Sequence, residues 1–272
     1  KAKYEKFAKD ENTKVNAGAL YPYEVVEKAM RAAFQRPDNT ERLMVNKYWA
    51  NLTDYFNGSN LNALAMVDTS GSMSGTPMNV AISLGLYCAE RAGGPFANHY
   101  ISFSSAPQLI ECEGIDFVDK VERIRRTSLC ENTNIEAAFD MLLHTALANN
   151  VPQKDMPENI IVISDMEFDE ATGDTMGYWG RHKHNTSQLT KANADTLLEG
   201  IAKEWQAEGY EMPHLIFWNV DARQANVPMI GNGRVSYVSG FSPSIFQTIM
   251  TGKTGYDLMM ECLNGERYAD IQ

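Results

Sequence analysis

The sequence predicts an α/β protein of three layers, in which helices cover both faces of a doubly wound, mostly parallel sheet behind an N-terminal helical extension. Two observations favour this fold class. From residue 61 onward, strand-length apolar runs alternate with segments of helical periodicity. The strongest run, NIIVIS at 159–164, is almost continuously apolar, as expected of a parallel strand that is buried on both faces.

The N-terminal region, residues 1–58, is predicted to be a helical extension that ends a larger helical region. Helix formers dominate 22–56, where a turn at 36–40 separates two or three helices. The turn cluster NGSN at 57–60 marks the boundary to an α/β domain over 59–272. Because the chain begins without Met and without a signal peptide, we expect a fragment of a longer protein.

The elements beyond this boundary follow in a regular order. Strands are predicted at 61–68, 99–104, 108–112, 159–165, 214–220 and 234–240, and the second and third of these should form a hairpin. Helices are predicted from Pro77, over 116–126, from Ile135, up to Trp205, and around Ile245 and Leu258. The stretch from 166 to 187 is predicted to be a long functional loop.

Composition restricts the class of partner and the compartment. The net charge of −11 disfavours bulk attraction to nucleic acid, and no apolar run is long enough to span a membrane. The four cysteines are widely separated and are expected to be reduced, which favours the cytoplasm, or the host cytoplasm if the protein is viral. They are Cys88, Cys112, Cys130 and Cys262.

A candidate metal site follows the first strand. Asp68, Ser70 and Ser72 occupy every second position, so their side chains can converge on one point in an extended or gently turning loop. Gly71 and Gly75 allow that loop to bend. One carboxylate with two hydroxyls is an all-oxygen ligand set, which suits Mg²⁺, Mn²⁺ or Ca²⁺ and disfavours zinc.

These residues resemble a known family. DTSGSM at 68–73 matches the DxSxS signature of the metal-ion-dependent adhesion site in von Willebrand factor A domains, which are Rossmann-like. The family adds a Thr before a helix and an Asp at the end of the central strand. Thr133 in ENTNIEAAF and Asp165 in VISDMEFD match these positions in order and setting.

The resemblance implies roles for the matched residues. The hydroxyls of Ser70, Ser72 and Thr133 would contact the ion, and Asp68 and Asp165 would act largely through water. The expected ion is Mg²⁺, with Mn²⁺ and Ca²⁺ as alternatives, and the expected partner is a protein whose exposed Glu or Asp replaces a metal-bound water. The residues expected to form the rim that contacts this partner are Met73, Ser74, Asn132, Met166 and Glu167.

Further segments indicate which groups of von Willebrand factor A proteins this chain resembles. SDMEFD, IFWNV and SGFS are similar to an uncharacterised intracellular family of phages, fungi and plants, and to the A domain at the C-terminal end of Ro autoantigen proteins. This implies an alternative function as the regulatory or recruiting part of a Ro-like ribonucleoprotein, with RNA bound upstream of this chain. Met166 stands where integrin-type sites usually have Gly, which counts against integrin-like switching.

Simpler interpretations remain open for each feature. DTSGSM and Thr133 could serve only to cap helices, since TNIE is a capping box. Asp165 could be paired with a nearby Arg. The basic run from Lys120 to Arg126 is expected to be a solvated helix face, with RNA contact as the alternative. No nucleophile or phosphate-loop motif appears, so no catalytic residue is predicted and the chain is not expected to be an enzyme.

Overall fold

The structure is a computed structural model, and it describes most of the chain. The described residues are 2–10, 12–55, 62–104, 106–127, 135–165, 191–221, 235–243, 245, 260 and 263–265, with the backbone alone described for 2 and 191–197. The following statements refer to these residues. The predicted long loop after Asp165 and the predicted helix around Leu258 lie outside them.

The helices and strands of the described residues alternate along most of the chain. The helices are α1 (Ala2–Lys9), α2 (Pro22–Ala32), α3 (Thr40–Ala50), α4 (Thr76–Arg91), α5 (Phe117–Arg126), α6 (Ile135–Asn149) and α7 (Lys191–Ala207). The strands are β1 (Ala63–Val67), β2 (His99–Ser102), β3 (Leu109–Glu111), β4 (Asn159–Ser164), β5 (His214–Asn219) and β6 (Val235–Ser239). None of the described helices is long and apolar enough to cross a membrane.

The strands form one six-stranded sheet in the order β3-β2-β1-β4-β5-β6. Every neighbouring pair is parallel except β2 and β3, which form the predicted antiparallel hairpin. Doubly wound sheets have this order. The chain adds β2 and β3 on one side of β1, and then adds β4, β5 and β6 on the other side. The predicted fold class is therefore confirmed.

Two hydrophobic cores cover the two faces of the sheet. On β1, Ala63, Ala65 and Val67 point into a core shared with α2, α4 and α5. Leu64 and Met66 alternate with them and point into a second core, which α6 and α7 complete. Since successive side chains of a strand point to opposite faces, burial of the whole strand requires a helical layer on each side.

The N-terminal helices belong to the first core. Trp49 of α3 stacks on Phe117 of α5 with ring centroids 4.1 Å apart, and its indole N–H donates to Glu90 of α4. Arg42 of α3 binds both carboxylate oxygens of Asp116, each at 2.7 Å. The described helices α2 and α3 thus pack as part of the α/β core, while the division of the chain at 58/59 stays a prediction.

Helix α4 lies unusually close to β1 because residue 85 is a glycine. A Cβ atom built on Gly85 would be 2.3 Å from the Cγ2 atom of Val67, which is far shorter than any ordinary contact. Val67 is the last residue of β1 and directly precedes Asp68. The helix therefore supports the strand end from which the candidate metal loop begins.

Candidate functional site

Two buried aspartates meet at the carboxyl edge of the sheet. Asp68 follows β1 and Asp165 follows β4, and these neighbouring strands lie on either side of the point where the strand order reverses. The backbone N–H of Asp68 donates to the carbonyl of Ile163 at 3.0 Å, which fixes the register of the two strand ends. Ligands of doubly wound sheets bind at this position.

Asp68 is fully buried, and polar groups hold both of its oxygens. Oδ1 accepts from the backbone N–H of Ser70 at 2.9 Å, and Oδ2 accepts from the Ser164 hydroxyl at 2.5 Å. Burial raises the pKa of the Asp68 carboxyl above its ordinary value of 3.8, and the nearby Asp165 raises it further, although the bonds from Ser164 and Ser70 lower it. Among the described residues no Lys or Arg forms an ion pair with Asp68. A bound cation would compensate this buried charge.

The loop after Asp68 brings two hydroxyls together. A short 3-10 helix, Gly71–Met73, folds the chain so that the Oγ atoms of Ser70 and Ser72 are 3.1 Å apart. Ser70 is half-buried and Ser72 is exposed, so the pair lies between the buried carboxylate and solvent. Gly75, with φ of +95°, then turns the chain into α4, a conformation that side-chain-bearing residues rarely adopt.

The spacing of these oxygens is compatible with a shared hard divalent ion as well as with a hydrogen bond between them. Adjacent ligands of an octahedral Mg²⁺, at roughly 2.1 Å from the ion, lie about 3.0 Å apart. The same geometry around Ca²⁺ would separate them by about 3.4 Å. The Ser70 and Ser72 hydroxyls are 3.1 Å apart, which is a hydrogen-bond distance and lies between these two spacings. Neutral hydroxyls with nearby carboxylates are also the ligand chemistry that hard cations prefer.

A cavity of about 430 Å³ opens further along the same edge. Its wall combines the ends of β5 and β6 with the start of α2, and it is lined by Tyr21, Tyr23, Asn219, Val220, Ser239, Gly240, Phe241 and Ser242. Tyr21 and Tyr23 stack with ring centroids 5.7 Å apart, and Phe241 contacts Tyr23 edge-on at 6.0 Å. Three of the residues that line the cavity are thus aromatic.

Comparison with known proteins identifies the family. The family described as "Domain of unknown function (DUF7788)" matches residues 62–268, which is most of the chain. The chain belongs to this family. Its relatives include the "Uncharacterized protein L728" of Acanthamoeba polyphaga mimivirus, to which this DUF7788 chain is 27% identical over 247 residues, 89% of its own length and 39% of that protein.

The DUF7788 chain is also similar to a solved structure, that of the Ro protein of Deinococcus radiodurans. The similarity has a TM-score of 0.48 at 15% sequence identity, and it covers 86% of this chain and 44% of that chain. The chain therefore spans less than half the length of either of these two proteins.

The structure of this DUF7788 domain brings most of the described candidate ligands together. Asp68, Ser70 and Ser72 lie in one loop, and Asp165 directly follows β4, the strand that pairs with β1. The candidates that lie outside the described residues are Thr133, Asn132, Met166 and Glu167. Their predicted roles stay predictions.

The two described rim candidates of the DUF7788 domain differ in exposure. Ser74 is exposed, and its hydroxyl donates to the carbonyl of Gly71 at 2.8 Å. Met73 is fully buried in the core beneath α4, in contrast to the expected rim position. Met73 is the last residue of the 3-10 helix, and as the large apolar side chain of this loop it is the one that gains by burial.

Ser164 is a functional candidate that the sequence interpretation missed. Its hydroxyl donates to the carboxylate of Asp68, which is 96 positions earlier in the chain. The available signal was a hydroxyl residue in the otherwise apolar strand NIIVIS, directly before the strand-end aspartate. A buried serine in such a run needs a hydrogen-bond partner, and the neighbouring strand end supplies one.

The basic run on α5 of the DUF7788 domain is largely paired with carboxylates. Arg125 and Arg126 both bind Glu122, at 2.9 and 2.8 Å. Arg123 lies 3.2 Å from Glu113, and Lys120 bonds to Glu90 of α4 at 2.7 Å. These pairs reduce the positive potential of the helix face, which favours a solvated surface over contact with RNA.

Proposed function

We propose that this chain is a metal-dependent protein-interaction module of the von Willebrand factor A type, which binds Mg²⁺ and, through the ion, an acidic residue of a partner protein. The observation that carries the proposal is the pair of hydroxyls of Ser70 and Ser72, 3.1 Å apart and adjacent to the buried Asp68. Asp165, from the neighbouring strand, and Thr133 complete the proposed ligand set.

The charge balance of the proposed site favours an anionic partner. The hydroxyl ligands are neutral, and Asp68 is held away from solvent by Ser164 and the Ser70 backbone. A dication bound mainly by hydroxyls and water keeps exchangeable positions, and an external carboxylate can occupy one of them. Because Ser72 is exposed, the open side of a bound ion would face solvent. We propose no catalytic role for the ion, so divalent-dependent turnover of a phosphoester by the pure chain would contradict the proposal.

The first experiment tests the metal site. Mg²⁺, Mn²⁺ and Ca²⁺ are titrated into the wild type and into Ser72→Ala and Ser74→Ala, with thermal unfolding and calorimetry as readouts. We expect saturable stabilisation of the wild type, with Mg²⁺ and Mn²⁺ more effective than Ca²⁺. Ser72→Ala should lose this effect. Ser74→Ala is the matched control, because it removes an exposed hydroxyl of the same loop that donates to the Gly71 carbonyl.

The second experiment tests the acidic partner. With Mn²⁺ as the ion, the relaxation rate of water protons reports the water molecules bound to the metal. We expect a blocked glutamate, N-acetyl-glutamate amide, to reduce that rate at saturation, and the isosteric glutamine compound to leave it unchanged. If the metal binds but the carboxylate displaces no metal-bound water, the ion has a structural role, and the proposed interaction is contradicted.

A further inference from the structure

Backbone hydrogen bonds between strand ends connect the candidate metal loop with the cavity at the ends of β5 and β6. The N–H of Val220 donates to the carbonyl of Ser164 at 3.0 Å, and the N–H of Gly240 donates to the carbonyl of Asn219 at 3.1 Å. Successive strand ends therefore lead from Asp68 to the aromatic cavity along one edge.

The chemistry of the lining selects an aromatic side chain. Tyr23 is fixed between the stacked Tyr21 and the edge-on Phe241, while Tyr21 and Phe241 are 46% and 40% exposed. Partly exposed rings that already pack on one another can accept a further ring in an edge or offset arrangement. Gly240 adds no side chain, and the carbonyl of Gly240 is engaged by the Trp218 indole at 2.8 Å.

The position of the cavity in the sheet determines its distance from the proposed ion. Neighbouring strands are about 4.8 Å apart, so the midpoint of β1 and β4 lies about 10 Å from the midpoint of β5 and β6. An extended peptide advances roughly 3.3–3.6 Å per residue. Three or four residues of an extended segment therefore cover the distance from the ion to the cavity.

We propose that the cavity formed by Tyr21, Tyr23 and Phe241 receives an aromatic side chain of the same partner segment whose acidic residue binds the ion, three or four positions away. This inference rests on the proposed metal-dependent function and specifies its partner as an extended acidic-aromatic peptide. The N-terminal helix α2, upstream of the segment that the family matches, then contributes directly to specificity.

A nucleotide is the competing class of ligand, since a nucleobase could also stack on Tyr21 or Phe241 beside a divalent ion. The described lining contains no Lys or Arg that would bind its phosphates, and the buried carboxylates of Asp68 and Asp165 would lie next to the proposed ion. The formal charge of the chain is −11. These charges favour a single carboxylate over a polyphosphate.

The experiment uses the full chain, Mg²⁺, and a series of blocked peptides that carry one Glu, one Trp and zero to six glycines between them. Trp fluorescence and calorimetry report binding. We expect affinity to be highest with two or three glycines, about tenfold tighter than for the same peptide with Ala in place of Trp. Phe241→Ala should remove this tenfold gain and leave Mg²⁺ binding unchanged.

A matched control variant is Phe34→Ala. Phe34 is 87% exposed and follows the far end of α2, about 16 Å along the helix from the cavity. This variant should bind the peptides as the wild type does. Loss of the Trp gain in both variants would indicate an unspecific effect and overturn the assignment of the cavity.

The remaining outcomes separate the two proposals. If Glu peptides bind in an Mg²⁺-dependent manner but neither Trp nor its spacing matters, the cavity proposal is wrong and the metal-dependent function stands. If no Glu peptide displaces metal-bound water, both fail. Tighter Mg²⁺-dependent binding of adenosine triphosphate than of any peptide, reduced by Phe241→Ala, would reassign the cavity to nucleotides.

Discussion

The close contact between α4 and β1 makes Gly85→Ala a sharp test of how the metal loop is supported. The new methyl group would be 2.3 Å from Val67 Cγ2, more than 1 Å inside an ordinary contact. Val67 is buried and its strand is paired on both sides, so neither partner can move freely. Overpacking of this kind costs about 1–3 kcal/mol, and we expect the upper end.

The intrinsic preference of helices opposes this cost. Ala is better than Gly in a helix interior by about 1 kcal/mol, so the net loss of unfolding free energy for Gly85→Ala should be about 2 kcal/mol. Gly200→Ala is the matched control, because Gly200 is exposed on α7 and a Cβ atom there would meet nothing within 4 Å. That variant should gain about 1 kcal/mol.

Urea unfolding, monitored by circular dichroism, measures the unfolding free energy of both variants. The thermal unfolding midpoint of Gly85→Ala should lie about 4–8 °C below that of the wild type. Because Val67 directly precedes Asp68, Mg²⁺ affinity should also fall in Gly85→Ala and remain unchanged in Gly200→Ala. Equal or higher stability of Gly85→Ala relative to Gly200→Ala would show that the contact relaxes and would refute the reasoning.

Three further predictions concern charged groups. Asp68→Asn removes a buried charge, so the stability of the metal-free protein should be unchanged or higher. In thermal titrations this variant should lose the stabilisation by Mg²⁺, which is about 2.7 kcal/mol for a ligand at 100 times its Kd. Because the pKa of Asp68 is raised above 3.8, the contribution of Asp68 to metal-free stability should fall as pH rises from 3.8 through that pKa, which comparison of the pH profiles of the wild type and Asp68→Asn would show. Calorimetry should show Mg²⁺ affinity rising over the same range. Arg42→Ala should cost about 2–3 kcal/mol in urea unfolding, because the part-buried Asp116 carboxylate loses its only ion-pair partner among the described residues and keeps hydrogen bonds from Asn46 and the Asp119 backbone alone. Loss of the exposed Arg31–Glu27 pair in Arg31→Ala should cost under about 0.5 kcal/mol.

The pH dependence of the Arg42 variant provides a separate check. Burial raises the pKa of Asp116, but hydrogen bonds from Arg42, the Asp119 backbone and Asn46 outweigh it, so the pKa lies below 3.8. The pair therefore stabilises the fold at neutral pH, and this contribution is lost as pH falls from 3.8 through the lowered pKa. Arg42→Ala should flatten this acid limb of the stability profile, and an unchanged limb would contradict the assigned role.

The sequence alone was sufficient for the fold class, for the order of the strands and helices described from residue 22 onward, and for the loop of Asp68, Ser70 and Ser72. These features depend on local order. Periodicity separates strands from helices, and an alternating polar triplet after a buried strand lies within one short loop wherever that strand is placed. The hairpin of β2 and β3 was predictable for the same reason, because its two strands are joined by a short turn.

Only the tertiary structure decided which distant residues meet. The hydrogen bond from Ser164 to Asp68, the close contact of Gly85 with Val67, and the cavity between Tyr23 and Phe241 each depend on strand order and helix packing. Met73 was assigned to the wrong surface because a single turn of 3-10 helix reverses the direction of a side chain. The periodicity of a sequence predicts which face of a helix or strand is buried. Which residues pack against that face depends on the packing of the whole chain.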